Sequence, residues 1–150
     1  MKVGVIGIGG LGHMALQFAN AYGCEVTAFS STPKKEKEAC SFGAHNFVSS
    51  TDKKALSKQS RSLDFIISTV FNDLDWQKYL NTLKPTGKLC FVGKPPSNVE
   101  VPVGDLIVHR KSVSGSNIGS RFMIQEMLEF SARHNIAPKT EKMPMTEAEN

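Results

Sequence analysis

From Val3 to Ile8 the chain runs through β-branched aliphatics broken only by Gly4 and Gly7, with no polar residue at alternate positions. Such a run predicts a strand buried on both faces and central in its sheet. Leu11, Met14, Ala15, Phe18 and Ala19 then recur at helical spacing, and Tyr22-Gly23 supplies the glycine that ends such a helix. Glu25 to Phe29 reads as a second strand. Ser30-Ser31-Thr32-Pro33 reads as a turn, with Pro33 placed to open a helix over Lys34 to Phe42. The alternation continues with a brief strand at Asn46 to Val48, a short helix at Asp52 to Lys58, and an apolar strand at Leu63 to Val70. Next come a helix at Leu74 to Leu83, a turn at Pro85-Thr86-Gly87, and a strand at Lys88 to Val92 ending at Gly93. A proline-bearing loop over Lys94 to Pro102, a short helix at Leu106 to Val108, a last strand at Ser112 to Ser116 and a helix at Arg121 to His134 complete the pattern. Strands alternating with helices at this spacing imply parallel crossovers and a sheet covered on both faces. The expected fold is α/β, a doubly wound parallel sheet in three αβα layers, with strands ordered 3-2-1-4-5-6.

Composition narrows the class. At 150 residues the chain is sized for one domain, and 40% hydrophobic with 21% charged residues excludes a disordered, collagen-like or disulfide-scaffold protein. No window offers the roughly eighteen consecutive apolar residues of a membrane span. The N-terminal apolar stretch breaks into glycines before it could serve as a signal core, so a cytoplasmic location is expected. Cys24, Cys40 and Cys90 are odd in number and widely spaced, which supports neither a disulfide framework nor a zinc ribbon. The net charge of +4 favours anionic ligands in general. It does not single out nucleic acid, because the basic residues are scattered and the aromatics sit inside apolar runs.

Gly7-Ile8-Gly9-Gly10-Leu11-Gly12 matches Gly-x-Gly-x-x-Gly and stands where its mechanism requires, after a buried strand and at the start of a helix. This is the Rossmann fingerprint: Gly7 allows the tight turn, Gly9 lets a pyrophosphate approach the backbone, and Gly12 lets helix and strand pack closely. Two other readings of the turn stand beside it, a packing turn without a ligand and the glycine turn of a methyltransferase. The end of the second strand bears on the choice. Enzymes that hold the adenosine ribose by its hydroxyls usually place a carboxylate there, whereas this chain has Ser30-Ser31-Thr32 followed by Lys34-Lys35. Hydroxyls beside ammonium groups suit a ribose 2′-phosphate, so NADP is preferred to NAD, with Lys35 the first choice of phosphate partner and Lys34 the second. The alternative is a solvated helix start carrying ordinary surface lysines.

Four segments carry a family resemblance: Gly7 to Ala15, Ser30 to Lys35, Leu63 to Val70 and Gly115 to Ser120. Together they resemble the coenzyme domain of zinc-dependent medium-chain alcohol dehydrogenases, and most closely the cinnamyl alcohol dehydrogenase branch. The resemblance implies that Ser68-Thr69-Val70 passes close to the coenzyme and that Val92-Gly93 and Ser116-Asn117-Ile118 border the nicotinamide. The expected cofactor set is therefore Gly7, Gly9, Gly10, Leu11, Gly12, Ser30, Ser31, Lys34, Lys35, Thr69, Val70, Val92, Gly93, Ser116, Asn117 and Ile118. It also implies reversible hydride transfer between a primary alcohol or aldehyde and the nicotinamide in the parent enzyme. A homodimer through the edge strand near Ser112 to Ser116 is expected on the same ground.

Such enzymes take their catalytic zinc, structural zinc and proton relay from a separate domain, and no matching cysteine and histidine set stands in this sequence. The chain is expected to be a truncated or excised coenzyme domain, inactive alone, with no catalytic or metal-ligating residue of its own. Its last residues, Glu147 to Asn150, resemble the start of a helix leading back to that domain. The contrasting reading is a stand-alone, non-catalytic NADP(H)-binding sensor or interaction module. His13, His45, His109 and His134 pair with no cysteine at ligand spacing, and His13 is expected to cap, pack or bond locally. Trp76 and Phe122 are read as core aromatics rather than base stackers. Cys40 and Cys90 lack a neighbouring cation that would activate a thiol.

Overall fold

The computed structural model describes residues 1–147. Six parallel strands form one sheet: β1 (Lys2–Ile6), β2 (Glu25–Ser30), β3 (Asn46–Ser49), β4 (Leu63–Ser68), β5 (Leu83–Phe91) and β6 (Ser112–Gly115). Their order, β3-β2-β1-β4-β5-β6, is the doubly wound order that the alternation predicts. The helices are α1 (Gly10–Ala21), α2 (Glu36–Ser41), α3 (Lys53–Lys58), α4 (Trp76–Thr82), α5 (Val103–His109) and α6 (Arg121–His134).

Alternating side chains of the central strands feed two cores. Val3, Val5, Val26 and Ala28 pack with Leu16 and Ala19 of α1 and with Ala39 of α2 on one face. Ile6, Phe29, Leu63, Ile66 and Leu89 pack with Leu56 of α3 and with Trp76, Tyr79 and Leu80 of α4 on the other. This two-sided burial is why β1 reads as an unbroken apolar run. Trp76 is a core residue, edge-on to Phe91 at 4.7 Å. Phe122 departs from its expected core role: it is 69% exposed on α6, a helix on which no residue is buried.

Several boundaries shift for identifiable reasons. β1 ends at Ile6 rather than Ile8, because Gly7 turns to φ +90° and leaves the ladder. Pro33 opens a single 3-10 turn over Pro33–Lys35, and α2 follows it. The Pro85-Thr86-Gly87 turn becomes an irregularity within β5. Leu83 faces Leu63 and Lys88 faces Phe65, so the residues between them bulge from the ladder, with Thr86 at φ 66°. Pro85 has no N–H to offer a neighbouring strand, which makes a bulge its natural place. The short helix read at Leu106 to Val108 extends over Val103–His109. The C-terminal helix expected to start near Glu147 falls largely outside the described residues, of which the last form a 3-10 turn at Met145–Glu147.

Candidate functional site

The strand order reverses between β1 and β4, which opens a crevice at the carboxyl ends of both, the usual ligand position in an open α/β sheet. The glycine turn fills one side of it. Gly7 donates its N–H to the Phe29 carbonyl at 2.9 Å and adopts a left-handed φ that only glycine takes easily. Gly12 lies directly under the turn: a Cβ added there would overlap the carbonyl oxygen of Gly7 and stand 3.1 Å from Thr69 Oγ1. Gly9 and Gly10 differ from both. A Cβ added at either would meet nothing within 4 Å, so the backbone at the start of α1 is bare to solvent. The turn offers a ligand main chain rather than side chains, at the positive end of a helix.

Thr69 locks the turn from β4, its hydroxyl donating to the carbonyls of Ile6 at 2.9 Å and Gly7 at 3.2 Å. Val70, beside it, lines the crevice. A cleft of about 190 Å3 is lined by Gly7, Ile8 and Gly9 from the turn, Ser30, Ser31, Thr32 and Lys35 from the end of β2, and Val70, Asn72, Leu74, Tyr79 and Ser50 from beyond. None of its lining residues is acidic. Lys35 reaches in from the 3-10 turn and donates to the Ile8 carbonyl at 2.6 Å, which fixes its ammonium at the rim of the glycine turn. Tyr79 is 3% exposed, and burial, with Asp75 nearby, raises its phenol above the usual range against the opposing bond to Ser50. The tyrosine therefore presents a neutral ring and hydroxyl to the cleft.

The structure brings Gly7, Gly9, Ser30, Ser31, Lys35 and Val70 together in that cleft, with Gly12 and Thr69 supporting it from beneath. Gly10 lines a neighbouring cavity with Lys35, and Leu11 is exposed at the helix start. Lys34 is exposed on the 3-10 turn and lines neither space. Gly93 packs against Thr69 and Val70, where a Cβ would lie 2.5 Å from the Val70 carbonyl oxygen. Val92 and Ser116 line a separate trough beside α6, while Asn117 and Ile118 are exposed beyond β6, Ile118 at 86%. Ser50, Asn72 and Tyr79 belong to the cleft without having been singled out in the sequence. Ser50 and Asn72 follow β3 and β4, and the rule that ligands sit beyond strand carboxyl ends was the signal that could have found them.

The zinc-binding dehydrogenase family matches this sequence over residues 10–133. The chain belongs to that family. Among its relatives, aldehyde reductase AdhA of Synechocystis is 45% identical over 141 residues, 94% of this chain and 42% of the relative. The cinnamyl alcohol dehydrogenase SbCAD4 of Sorghum bicolor superposes with a TM-score of 0.94 at 38% identity, over 99% of this chain and 42% of that one. A cinnamyl alcohol dehydrogenase from Helicobacter pylori, solved with NADP(H), superposes with a TM-score of 0.81 at 41% identity, over 94% of this chain and 40% of that one. The resemblance to the coenzyme domain of these dehydrogenases thus holds in sequence and in fold. This zinc-binding dehydrogenase chain spans about two-fifths of the length of those relatives. Its described residues bring no three histidine, cysteine, aspartate or glutamate side chains together as a metal site.

Proposed function

We propose that this chain is the NADP(H)-binding part of a zinc-dependent alcohol dehydrogenase or aldehyde reductase, with the zinc ligands contributed by sequence outside it. The observation that carries the reading is the pairing of a bare glycine backbone with a ribose end built from Ser31 and Lys35 and free of carboxylates. NADP(H) fits this cradle. The open space over Gly9 and Gly10 admits a pyrophosphate, and the hydroxyl and ammonium groups at the end of β2 suit a dianionic 2′-phosphate. The relative solved with NADP(H) supports the choice. When bound, the nicotinamide gives or takes the hydride exchanged between an aldehyde and a primary alcohol. The work of these residues is to bind and orient. Thr69 holds the turn, Val70 and Tyr79 form the cleft walls, and Val92, Gly93, Ser116, Asn117 and Ile118 stand along the sheet's carboxyl edge where the nicotinamide end extends. Lys34, outside the cleft, is assigned a long-range electrostatic role.

The deciding experiment is a fluorescence titration of the purified chain with NADPH and NADH at two salt concentrations. Tighter, salt-sensitive binding of NADPH that is lost in Ser31→Asp or Lys35→Ala is the expected outcome. Equal binding of the two nucleotides would remove the NADP preference and leave a dinucleotide site, whereas binding of neither would remove the site.

The same reading extends to assembly and place. Among the described residues β6 pairs only with β5, leaving its other edge open, and Val103, Ile107 and Val108 of the adjoining α5 are each more than 60% exposed. These features support the proposal of a homodimer through the β6 edge, in which this surface is covered. No described helix is long and apolar enough to cross a membrane. A cytoplasmic location is assigned, testable by cell fractionation.

A further inference from the structure

The segment after α6 returns across α1 to the glycine turn. Gln17 Nε2 donates to the Ala137 carbonyl at 3.1 Å, and the Lys139 backbone N–H donates to His13 Nε2 at 3.1 Å. A backbone N–H only donates, so Nε2 of His13 is the acceptor and the ring proton sits on Nδ1, which donates to the Gly9 carbonyl at 3.0 Å. One imidazole thus ties Lys139 to the turn. The Lys139 side chain extends to Glu38 of α2, with Nζ 2.8 Å from Oε1.

These groups enclose a cavity of about 210 Å3 lined by Gly9, Gly10, His13, Lys35, Glu38 and Lys139, together with Ile8 and Phe42. Ile8, Gly9 and Lys35 also line the main cleft, so the two spaces adjoin at these residues. The cavity holds two ammonium groups and one carboxylate. Without ligand, Glu38 neutralises Lys139. A dianion arriving at Lys35 supplies a stronger partner for Lys139 and repels Glu38.

We propose that Lys139 is a specificity-determining residue, a second cation for the ribose 2′-phosphate, with Glu38 as the counter-charge that the phosphate displaces. This rests on the dinucleotide reading given above. It assigns Lys139 and Glu38 opposite effects on binding: Lys139 attracts the phosphate directly, while Glu38 competes with it for the same ammonium.

The test is a titration of the unaltered chain, Lys139→Gln and Glu38→Gln with NADPH, NADH and 2′,5′-ADP, with thermal melts of each protein alone to check folding. Lys139→Gln should weaken NADPH and 2′,5′-ADP about tenfold, the scale of one charge-assisted bond, and leave NADH unchanged. Glu38→Gln should tighten both phosphorylated ligands and leave NADH unchanged. If Lys139 only staples the C-terminal segment to α2, both variants break one ion pair and shift NADPH in the same direction or not at all. That result overturns the proposal, as does an equal loss of NADH and NADPH in Lys139→Gln. Selective NADPH binding that ignores Lys139→Gln overturns this inference alone, whereas failure of the unaltered chain to bind either dinucleotide overturns the dinucleotide reading and this inference with it.

Discussion

Alanine at Gly12 and alanine at Gly9 should separate the structural glycine from the binding glycine. At Gly12 the new methyl would overlap the Gly7 carbonyl oxygen and stand 2.8 Å from its carbon. That carbonyl belongs to backbone held by the Gly7 N–H bond to Phe29 and by the Thr69 hydroxyl, so it has little freedom to retreat. The helix must move off the strand. Overpacking of this kind costs roughly 1–3 kcal/mol or more, and the overlap with fixed backbone puts this case at the upper end. Alanine's better helix propensity returns about 1 kcal/mol, leaving a net loss of about 2 kcal/mol. For a chain of this size the melting temperature should fall by roughly 4–8 °C. Gly9 is the opposite case. Its φ of −113° suits any residue, and the methyl meets nothing within 4 Å. A weaker helix cap costs about 0.5 kcal/mol, and the reduced freedom of the unfolded chain returns about as much, so stability should hold within about 1 kcal/mol. The same methyl occupies the space a pyrophosphate would use, and NADPH affinity should drop about tenfold or more. Thermal melts followed by circular dichroism, paired with NADPH titrations, give both numbers for both variants. A Gly12→Ala protein that melts at or above the parent temperature, or a Gly9→Ala protein that binds NADPH as the parent does, would refute this division of labour.

Three further predictions concern the frame of the site. Asp64 accepts from the Lys2 backbone N–H and from Lys84 Nζ, each at 2.7 Å, and these bonds hold its carboxyl below the ordinary 3.8. A depressed folded-state pKa contributes stability that is present above the unfolded value and lost as pH falls through the folded one; Asp64→Asn should flatten the acid limb of a melting-temperature profile below about pH 4, and an unchanged limb would count against it. Leu80 is fully buried beneath the sheet, and its carbonyl receives the Lys111 ammonium at 2.8 Å. Leu80→Ala should cost about 2–5 kcal/mol in urea unfolding, and a loss under about 1 kcal/mol would show that the α4 face repacks. Sedimentation at tens of micromolar should give a dimer, and a monomer throughout that range would remove the β6 edge as an interface.

What was legible in the sequence was local. The run Val3 to Ile8, the glycines after it and the spacing of Leu11 to Ala19 define strand, turn and helix within twenty residues, and α1 and β1 stand almost where that pattern puts them. Strand order also follows, because right-handed crossovers leave few ways to lay out such an alternation. Features made by distant parts of the chain did not show. Nothing in the sequence around Lys111 signals burial, yet its side chain is 4% exposed, paired with Asp105 at 3.1 Å and bonded to a carbonyl 31 residues away. Phe122 has the spacing of a core aromatic, but periodicity shows only that a helix has an apolar face; it does not show what lies against that face.

The candidate site divides along the same line. Gly7, Gly9, Ser31 and Lys35 share one cleft because each sits just beyond β1 or β2, at the carboxyl ends of the strands. His13 was readable only as a residue that bonds locally, and half of that holds: Nδ1 meets the Gly9 carbonyl four residues back, while Nε2 takes a backbone N–H from 126 residues onward. The second bond alters the electrostatics of the cavity, because it brings in Lys139 from 126 residues onward. Glu38 undergoes the matching change. Its carboxyl lies below the ordinary carboxylate range, first because Lys139 bonds to it and also because Lys35 stands near. A phosphate competes with this carboxylate for the Lys139 ammonium, so Glu38 tempers binding of a dianion and the two lysines outweigh it. An acidic residue beside a site for a dianion is therefore compatible with NADP(H) binding as long as both lysines are present, and removing Lys139 should weaken NADPH about tenfold, the scale of its own bond.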